Sequence, residues 1–416
     1  MLLTLILSQN MFFEKNYKLL LKIYISLISF LSVYYLMGVN IVLTYNAMTE
    51  WVINYQGGFV RRGLLGEVVF QISDFFKIQL RFCFLVLQSS LYLLYYYLIY
   101  KLLKNIDPNY LIILAIFSPL FIVFPIAELE AIGRKEILIF LSLIISINLY
   151  FKYLNNNLII LFISLIYPVI LLIFEASIFY SFFFISLILI TMKKIDLTNL
   201  IKLIVFSLPT LISICAIYFY PHDAEETVKM CKELEKAGEK CGLGAAFISH
   251  TIEYHMAELG WKLNHILRYF LIFILGFGAL VYLSLNSRFN EIYVNKLFLK
   301  TSFFFHFCIL SLPTITMFLI AVDTGRWTHM SYSCAIIYYL GLVNHKAIII
   351  EKNSTLMNYI NNKLNNFSKI LIFIVVCLSW NPKAVYHEDL GSLPLYRAIE
   401  KMPNFYINIL NVKIFR

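Results

Sequence analysis

The chain is built from long apolar runs, many of them close to twenty residues, that are separated by short polar turns. A run of about 20 apolar residues matches the thickness of the hydrocarbon core of a bilayer. Only 14% of the 416 residues are charged and 61% are hydrophobic, whereas soluble domains carry about 25% charged residues. Lipid must therefore be the solvent of this chain. The sequence predicts an all-α fold, a polytopic bundle of transmembrane helices that forms a single integral membrane domain over residues 1–416.

About eleven segments are apolar enough to be candidate membrane spans. They are 19–45, 80–103, 109–127, 137–153, 156–174, 176–192, 199–220, 264–286, 297–321, 330–344 and 369–380. A long polar loop, 221–263, lies between two of these spans, and a tail, 381–416, follows the last one. We predict that the loop and the tail lie outside the hydrocarbon core.

Lysines in the turns predict the orientation, because positively charged turns stay in the cytoplasm. Lys15, Lys18 and Lys22 precede the first candidate span and place the N-terminus inside. Counted from there, the other lysine-rich turns also fall inside. With an odd number of spans, the loop 221–263 and the tail 381–416 lie outside. The net charge of +10 is then a topology signal, and we expect no nucleic-acid partner.

The arginines are not distributed across the membrane as the lysines are. The arginines predicted to lie outside are Arg61, Arg62, Arg81, Arg134, Arg268, Arg326, Arg397 and Arg416, and Arg288 is predicted to lie inside. A guanidinium binds phosphate or carboxylate through two parallel hydrogen bonds, which an ammonium cannot do. An alternative for Arg81, Arg268 and Arg416 is that their side chains reach the lipid headgroups. For the arginines that belong to motifs, this distribution indicates binding of an anion.

The first motif, YQGGFVRRGLLGE, contains glycines beside a pair of arginines. Gly57 and Gly58 allow tight turns and the close approach of a ligand, and Arg61 and Arg62 follow them. Glu67 lies on a short interfacial or re-entrant helix. The motif predicts a cradle for an anion, although it lacks the GK[ST] ending of a nucleotide-binding loop. The alternative is a glycine-rich turn with an interfacial arginine pair.

The second motif, AELEAIGRKEIL, places several charges between two apolar runs. Glu130 and Arg134 are four residues apart and can pair on one face of a helix, and Lys135 follows. Charges this close to the hydrocarbon are costly unless they pair or face a wet cavity. The motif therefore indicates either a site or a solvated turn with an ordinary ion pair.

Two further segments place acids beside apolar runs. Glu175 is a lone carboxylate in LLIFEASIFY, and a carboxylate in such a place can act as an acid or a base. Asp323 and Arg326 open a later span in AVDTGRW, and His329 lies about one turn deeper. The alternative for Glu175 is a side chain that simply reaches the headgroup region.

Cysteine placement agrees with an outer loop. Cys231 and Cys241 lie in the loop 221–263, whereas the other five cysteines lie in or beside apolar runs. A pair in an extracytoplasmic loop can be oxidised, so we predict a disulfide, with two free thiols as the alternative. The sequence contains no CxxC or HExxH motif, and it predicts neither a metal site nor a cofactor.

The order of these motifs resembles a known family. GGFVRRGL in the first outer loop, a later GRKE, a lone acid after Phe174 and a late D-x-GRW are similar to the O-antigen and capsule repeat-unit polymerases of bacteria, the Wzy type. Phe174 is a departure, since a histidine is expected before the acid. The resemblance implies a multispanning, GT-C-like glycosyltransferase of the inner membrane. Such an enzyme joins undecaprenyl-pyrophosphate-linked oligosaccharides on the periplasmic face, amid membrane lipid and beside a chain-length regulator protein.

The resemblance also implies roles for individual residues. Arginines of such enzymes hold the pyrophosphate, which here would be Arg61, Arg62, Arg134 and Arg326, with Lys135, Gly57 and Gly58 beside them. The candidates for the base that activates the acceptor hydroxyl are Glu67, Glu130, Glu175 and Asp323, and the sequence does not choose among them. We predict that the four arginines converge on one outward pocket that is open to the bilayer.

Three other functions fit the sequence as well. A transporter or flippase of lipid-linked sugars would also need outward arginines, although charges within several spans and internal repeats are then expected. A transferase that takes one sugar from a polyprenyl phosphate would use an acid in the first outer loop. A ligase that moves finished polymer to lipid A has a similar outline.

Overall fold

A computed structural model describes the chain at residues 16–41, 46–153, 156–192, 196–220, 224–242, 245, 248, 263–299, 301–320, 323–351, 359–360, 363–385, 391, 393–394 and 396. The fold is mostly helical, which confirms the predicted all-α class. Much of the loop 221–263 and most of the tail 381–416 lie outside the described residues.

The helices follow one another along the chain with short connections. In chain order they are α1 Tyr17–Ile41, α2 Asn46–Thr49, α3 Leu64–Phe76, α4 Leu80–Leu103, α5 Tyr110–Ile116, α6 Phe124–Ala127, α7 Ile137–Tyr153, α8 Asn156–Ile173, the 3-10 helix Glu175–Tyr180, α9 Ser181–Thr191, α10 Leu197–Phe219, α11 Ala224–Lys236, α12 Leu263–Leu271, the π-helix Ile272–Phe277, α13 Gly278–Leu285, α14 Lys296–Leu299, α15 Phe303–Ile320, α16 Thr324–Asn344, α17 Asn366–Phe373 and the π-helix Ile374–Leu378. Two short strands, β1 Ser287–Phe289 and β2 Ile348–Ile350, pair antiparallel.

Five helical stretches among the described residues are long and apolar enough to cross a membrane. They are Tyr17–Asn40, Leu80–Leu103, Asn156–Ile173, Leu197–Phe219 and Ile266–Leu285. Four shorter apolar helical stretches accompany them: Ile137–Tyr153, Glu175–Ile190, Phe303–Phe318 and Asn366–Leu378. Apolar side chains such as Ile204, Leu211 and Ile212 of α10 point away from the protein, as expected where lipid is the solvent. The predicted count of about eleven spans stays a prediction.

The predicted span 109–127 is not one helix in the structure. Asn109 caps α5 by accepting a hydrogen bond from the backbone N–H of Ile112 at 2.8 Å. The helix ends at Ile116, ahead of Pro119, whose ring disfavours helical backbone in the preceding residue. Backbone groups freed by such a break need partners within the protein. They find them on α16, whose Tyr332 and His329 side chains bond the carbonyls of residues 115 and 120, each at 2.7 Å.

Helix α16 is the buried centre of the bundle. Every residue from Thr324 to Leu342 is buried, including several polar ones. Thr328 donates to the carbonyl of Thr324 at 2.7 Å, so its hydroxyl is satisfied within the helix. The helix begins six residues before the predicted span 330–344, because the segment TGRWTH is already helical. Arg326 therefore lies in the first turn of a buried helix.

The segments predicted to lie outside meet at one end of the bundle. Residues 50–62, 130–136, 175 and 323–326 contact one another there. The strand pair β1–β2, which was not predicted from the sequence, lies beyond the other end of α16. A helix of 21 residues is about 31 Å long. The fold therefore separates a charged end from a lysine-bearing end.

Reporter fusions test the orientation of these two ends. Fusions after Lys104, Lys194 and Lys352 should report the cytoplasm, because these lysine-rich turns are retained there. Fusions within 225–245 should report the exterior. A cytoplasmic signal from residues 225–245 would contradict the orientation and, with it, the sorting of the motifs.

Candidate anion-binding site

The turn that carries the second motif is fixed at Gly133. This residue has φ +73°, a backbone conformation that glycine adopts without a steric cost. Its N–H donates to the hydroxyl oxygen of Tyr92 at 3.0 Å. Its carbonyl accepts hydrogen bonds from the side chains of Trp51 and Gln88. The next residue, Arg134, is thereby held with its guanidinium inside the protein, where only 4% of the side chain is exposed.

Glu50 lies at the centre of the charged end. Its carboxylate accepts a hydrogen bond from Nη1 of Arg134 at 2.5 Å. Nη1 and Nη2 of Arg326 approach the same carboxylate at 3.4 and 3.5 Å, and Nη1 of Arg62 lies 3.8 Å away. Glu50 is buried, with 8% of its side chain exposed. One buried carboxylate therefore holds guanidiniums from three separate segments.

Arg62 forms a close, bidentate ion pair with Glu175. Its Nε and Nη2 donate to both oxygens of Glu175 at 2.7 to 2.9 Å, a bidentate arrangement. The backbone of Arg62 has φ +69°, which is uncommon for a residue with a side chain. Nζ of Lys135 donates to the carbonyl of Arg62 at 2.8 Å. Contacts at both ends of the residue thus hold it in an unfavourable conformation.

Arg326 has three acidic partners. Besides Glu50, its Nε donates to Oε1 of Glu136, and its Nη1 donates to Oδ2 of Asp323 at 3.0 Å. Arg134 has a second, longer ion pair with Glu130, at 3.6 Å. The cations and carboxylates of the site therefore alternate in a continuous network.

The ring of Phe174 lies between two of the guanidiniums. Cζ of Arg62 is 5.9 Å from the ring centroid, and Cζ of Arg326 is 5.6 Å from it. Both distances fit cation–π contacts. Phe174 is fully buried, so it supplies an apolar wall for both cations. This packing gives Phe174 a physical role in the site.

Electrostatics within the site differ from those in water. Burial alone raises the pKa of the Glu50 carboxyl, but the three guanidiniums outweigh burial and hold that pKa well below its ordinary value of 4.5. Burial lowers the pKa of the Lys135 ammonium to about 7, although Glu50 opposes this change. Glu50 is therefore charged at neutral pH, and Lys135 carries only part of its charge there.

Exposure identifies the face that a ligand can reach. Arg134 and Arg326 each have 4% of the side chain exposed, whereas the values are 23% for Arg62 and 31% for Arg61. Arg61 donates from Nη2 to the carbonyl of Ile248 at 3.0 Å, and its Nη1 lies 3.7 Å from Glu175. The arginines of the network that a ligand can reach are thus Arg61 and Arg62, which lie beside the partly exposed Glu175.

Glu67, by contrast, bonds its own loop and helix. Its carboxylate accepts hydrogen bonds from the N–H of Tyr55 and from the side chains of Gln56 and Gln71, at 3.0, 2.8 and 2.7 Å. These bonds shape the turn that precedes Arg61. The structure therefore brings Glu130, Glu175 and Asp323 to the arginines and uses Glu67 to stabilise the loop.

Gly57 and Gly58 lie against helix α11. A side chain at Gly57 would meet the carbonyl oxygen of Glu226 at 2.1 Å, and one at Gly58 would meet the Glu226 carboxylate at 2.7 Å. These glycines permit the close approach of a helix of this chain. The predicted contact of Gly57 and Gly58 with a ligand stays a prediction.

Helix α11 belongs to the loop 221–263. A disulfide joins Cys231 to Cys241 in the structure, the pairing that the sequence analysis predicted. Met230 packs beside the start of the first motif, where its sulfur lies 3.5 Å from the backbone nitrogen of Asn54, the residue before Tyr55. Arg81 and Glu239 form a further ion pair at 2.5 Å. This part of the loop therefore rests on the segment that leads to Arg61 and Arg62.

A small cavity lies on the inner side of the network. Arg134, Glu136, Arg326 and His329 line it together with aromatic and aliphatic side chains from α4, α6 and α7. Its volume is about 10 Å³, whereas pockets for small ligands have about 300–1,000 Å³. The predicted open pocket is not this cavity, so a large ligand must approach from the exposed face.

Two acids at the centre of the site were not singled out as candidates. Glu50 precedes Trp51 at the end of a polar stretch, and no motif marks it. Glu136 lies in GRKE beside two basic residues, and such a sequence is typical of a solvent-exposed segment. The signal that could have found both is the number of arginines: several buried guanidiniums need buried carboxylates.

Comparisons with protein-family models, with curated proteins and with solved structures find no match.

Glu50→Gln tests whether this carboxylate holds the site together. The substitution removes the charge that three guanidiniums share, so we expect it to lower the free energy of unfolding by about 3–5 kcal/mol. Above pH 4.5 the whole loss of unfolding free energy should be observed. The lowered pKa of Glu50 means that the charged carboxylate stabilises the folded protein above pH 4.5, and that this stabilisation is lost only as the pH falls further. Thermal unfolding of the purified protein in detergent provides the measurement.

Asp74→Asn is the matched control for that substitution. Asp74 pairs with Lys77 at 3.1 Å on an exposed surface, where an ion pair contributes about 0–1 kcal/mol. If Glu50→Gln and Asp74→Asn unfold at the same temperature, Glu50 does not organise the site.

Proposed function

We propose that this protein polymerises oligosaccharide repeat units that are linked to undecaprenyl pyrophosphate, on the periplasmic face of the bacterial inner membrane. The observation that carries the proposal is the gathering of Arg61, Arg62, Arg134 and Arg326 at one end of an apolar helical bundle. A diphosphate on a lipid needs several guanidinium donors at the edge of a membrane. The order of sequence motifs supports the same function.

The pair of Arg62 and Glu175 suggests where the diphosphate binds. Both oxygens of Glu175 accept hydrogen bonds from the guanidinium of Arg62. Two phosphate oxygens bind arginine in the same bidentate arrangement. In this proposal the diphosphate replaces the carboxylate at Arg62 and also pairs with Arg61. Glu175 is then released close to the reacting bond, where it can accept or donate a proton.

Helix α3 offers a place for the polyprenyl chain. It begins at Leu64, two residues after Arg62, and its exposed apolar side chains include Val68, Ile72, Phe75 and Phe76. A short helix with one apolar face lies along the membrane interface. A lipid whose diphosphate binds Arg61 and Arg62 can therefore pack its chain along α3.

The chemistry needs no resident group beyond these side chains. An acceptor hydroxyl attacks the anomeric carbon, the bond from that carbon to the pyrophosphate oxygen breaks, and the leaving group keeps the electron pair. Guanidiniums stabilise the charge that develops on it. A carboxylate takes the hydroxyl proton, and Glu130, Glu175 and Asp323 each lie beside an arginine of the site.

Deletion of the gene in its host gives the first test. Loss of the polymer ladder, with a single repeat unit still attached to the surface, is the expected result on a polysaccharide gel. A complete absence of polysaccharide indicates a single-sugar transferase or a flippase. Long polymer that is no longer attached to lipid A indicates a ligase. Either of these two results, or an unchanged ladder, would contradict the proposal.

Arg61→Lys gives the second test. Lysine keeps the charge but loses the guanidinium fork, so polymerisation in the complemented strain should fall about tenfold or more. Arg81→Lys is the matched control, since Arg81 lies at the same end but pairs with Glu239. Full activity of Arg61→Lys, at wild-type protein levels, would remove Arg61 from the donor site.

A further inference from the structure

Lys135 is buried at the charged end of the bundle. Its exposed fraction is 0%, and its Nζ donates to the backbone carbonyl of Arg62 at 2.8 Å. An ammonium has three N–H donors, and this carbonyl is its one hydrogen-bond acceptor within the described part of the chain. Lysine is almost never fully buried unless it has a partner. The partner here is a backbone oxygen of the first motif rather than a carboxylate.

The carbonyl that Lys135 holds belongs to the peptide between Arg62 and Gly63. The other polar group of this peptide is the N–H of Gly63, which donates to the carbonyl of Val60 at 3.2 Å. Both polar groups are therefore bonded, one to the second motif and one within the turn itself. The orientation of this peptide sets ψ of Arg62, whose φ of +69° is unfavourable for a residue with a Cβ. A conformation of this kind persists because the surrounding contacts hold it.

The backbone of Arg62 determines where its side chain points. In the observed conformation, Nε and Nη2 of Arg62 donate to the carboxylate of Glu175 at 2.7 to 2.9 Å. The side chain of Arg62 is 23% exposed, so a ligand reaches this guanidinium but does not reach Lys135. If the peptide after Arg62 turned, the backbone would relax to a more common conformation, and the Cα–Cβ bond would point in another direction. Lys135 thus acts on the guanidinium through the backbone.

We propose that Lys135 is a positioning residue, which holds the Arg62 guanidinium in place for a lipid diphosphate by binding the Arg62 carbonyl. It contributes to the binding of the donor without contact with the donor. The resemblance to polymerases implies that Lys135 lies beside the pyrophosphate, and an indirect role also accounts for its burial. The bond from Lys135 to Arg62 is a feature of the structure, whereas the diphosphate as the ligand rests on the proposed function.

Lys135→Met tests the proposal because it removes the ammonium and keeps an unbranched side chain. The Kd of the purified protein for undecaprenyl pyrophosphate in detergent should rise about tenfold, since the hydrogen bond that orients Arg62 is lost. Lys229→Met is the matched control, because Lys229 is an exposed lysine of α11, and its Kd should stay within about twofold of the wild type. If thermal unfolding shows that Lys135→Met does not fold, Lys135→Gln takes its place. Its side chain is uncharged and one bond shorter, so the same rise in Kd is expected.

A double-mutant cycle tests whether Lys135 acts through Arg62. Arg62→Met removes the guanidinium and should raise the Kd about tenfold or more. In that background Lys135→Met should change the Kd by less than about twofold, because the effects of two residues that act as one unit do not add. The inference is overturned if folded Lys135→Met binds as tightly as the wild type, or if it adds its full loss to that of Arg62→Met. If the wild type does not bind undecaprenyl pyrophosphate, or Arg62→Met binds it equally well, the proposed donor site fails and the inference fails with it.

Discussion

A buried carboxylate, Glu50, organises the charged end of this protein. Arg62, Arg134 and Arg326 come from segments that are distant in the sequence, and each of them approaches this one side chain. Without an anion among them, three guanidiniums would repel one another in a region from which water is largely excluded. Glu136, Glu175 and Asp323 complete the neutralisation around Glu50. The arginines can therefore be close together in a membrane protein because the acids are close as well.

The same network ties the membrane-embedded elements to the outer segments. Arg326 lies in the first turn of the central helix α16, and the polar side chains farther along α16 bond the broken segment between α5 and α6. Gly133, which positions Arg134, bonds side chains of α4 and of the first outer segment. A change at the reachable face, such as the displacement of Glu175 from Arg62, is thus connected through Glu50 to the centre of the bundle.

Much of this arrangement could be predicted from residue types alone. The apolar runs predict membrane helices, and charges at the edges of such runs are costly enough to mark Arg61, Arg62, Arg134 and Arg326 as a group. The structure brings these four together. The identity of the central acid could not be predicted, because Glu50 carries no local pattern and its burial depends on segments far away in the sequence. The break at Pro119 was missed because residues 117–123 are mostly apolar, and such a run has the same composition in a helix and in a buried turn.

The exposed arginines are proposed to bind a lipid diphosphate. The most direct test is an electron cryomicroscopy structure of the purified protein with undecaprenyl pyrophosphate. We expect density for the diphosphate within hydrogen-bonding distance of Arg61 and Arg62. The Glu175 carboxylate should then have moved away from the Arg62 guanidinium, and the polyprenyl chain should lie along α3. Diphosphate density elsewhere, with the Arg62–Glu175 pair intact, would contradict it.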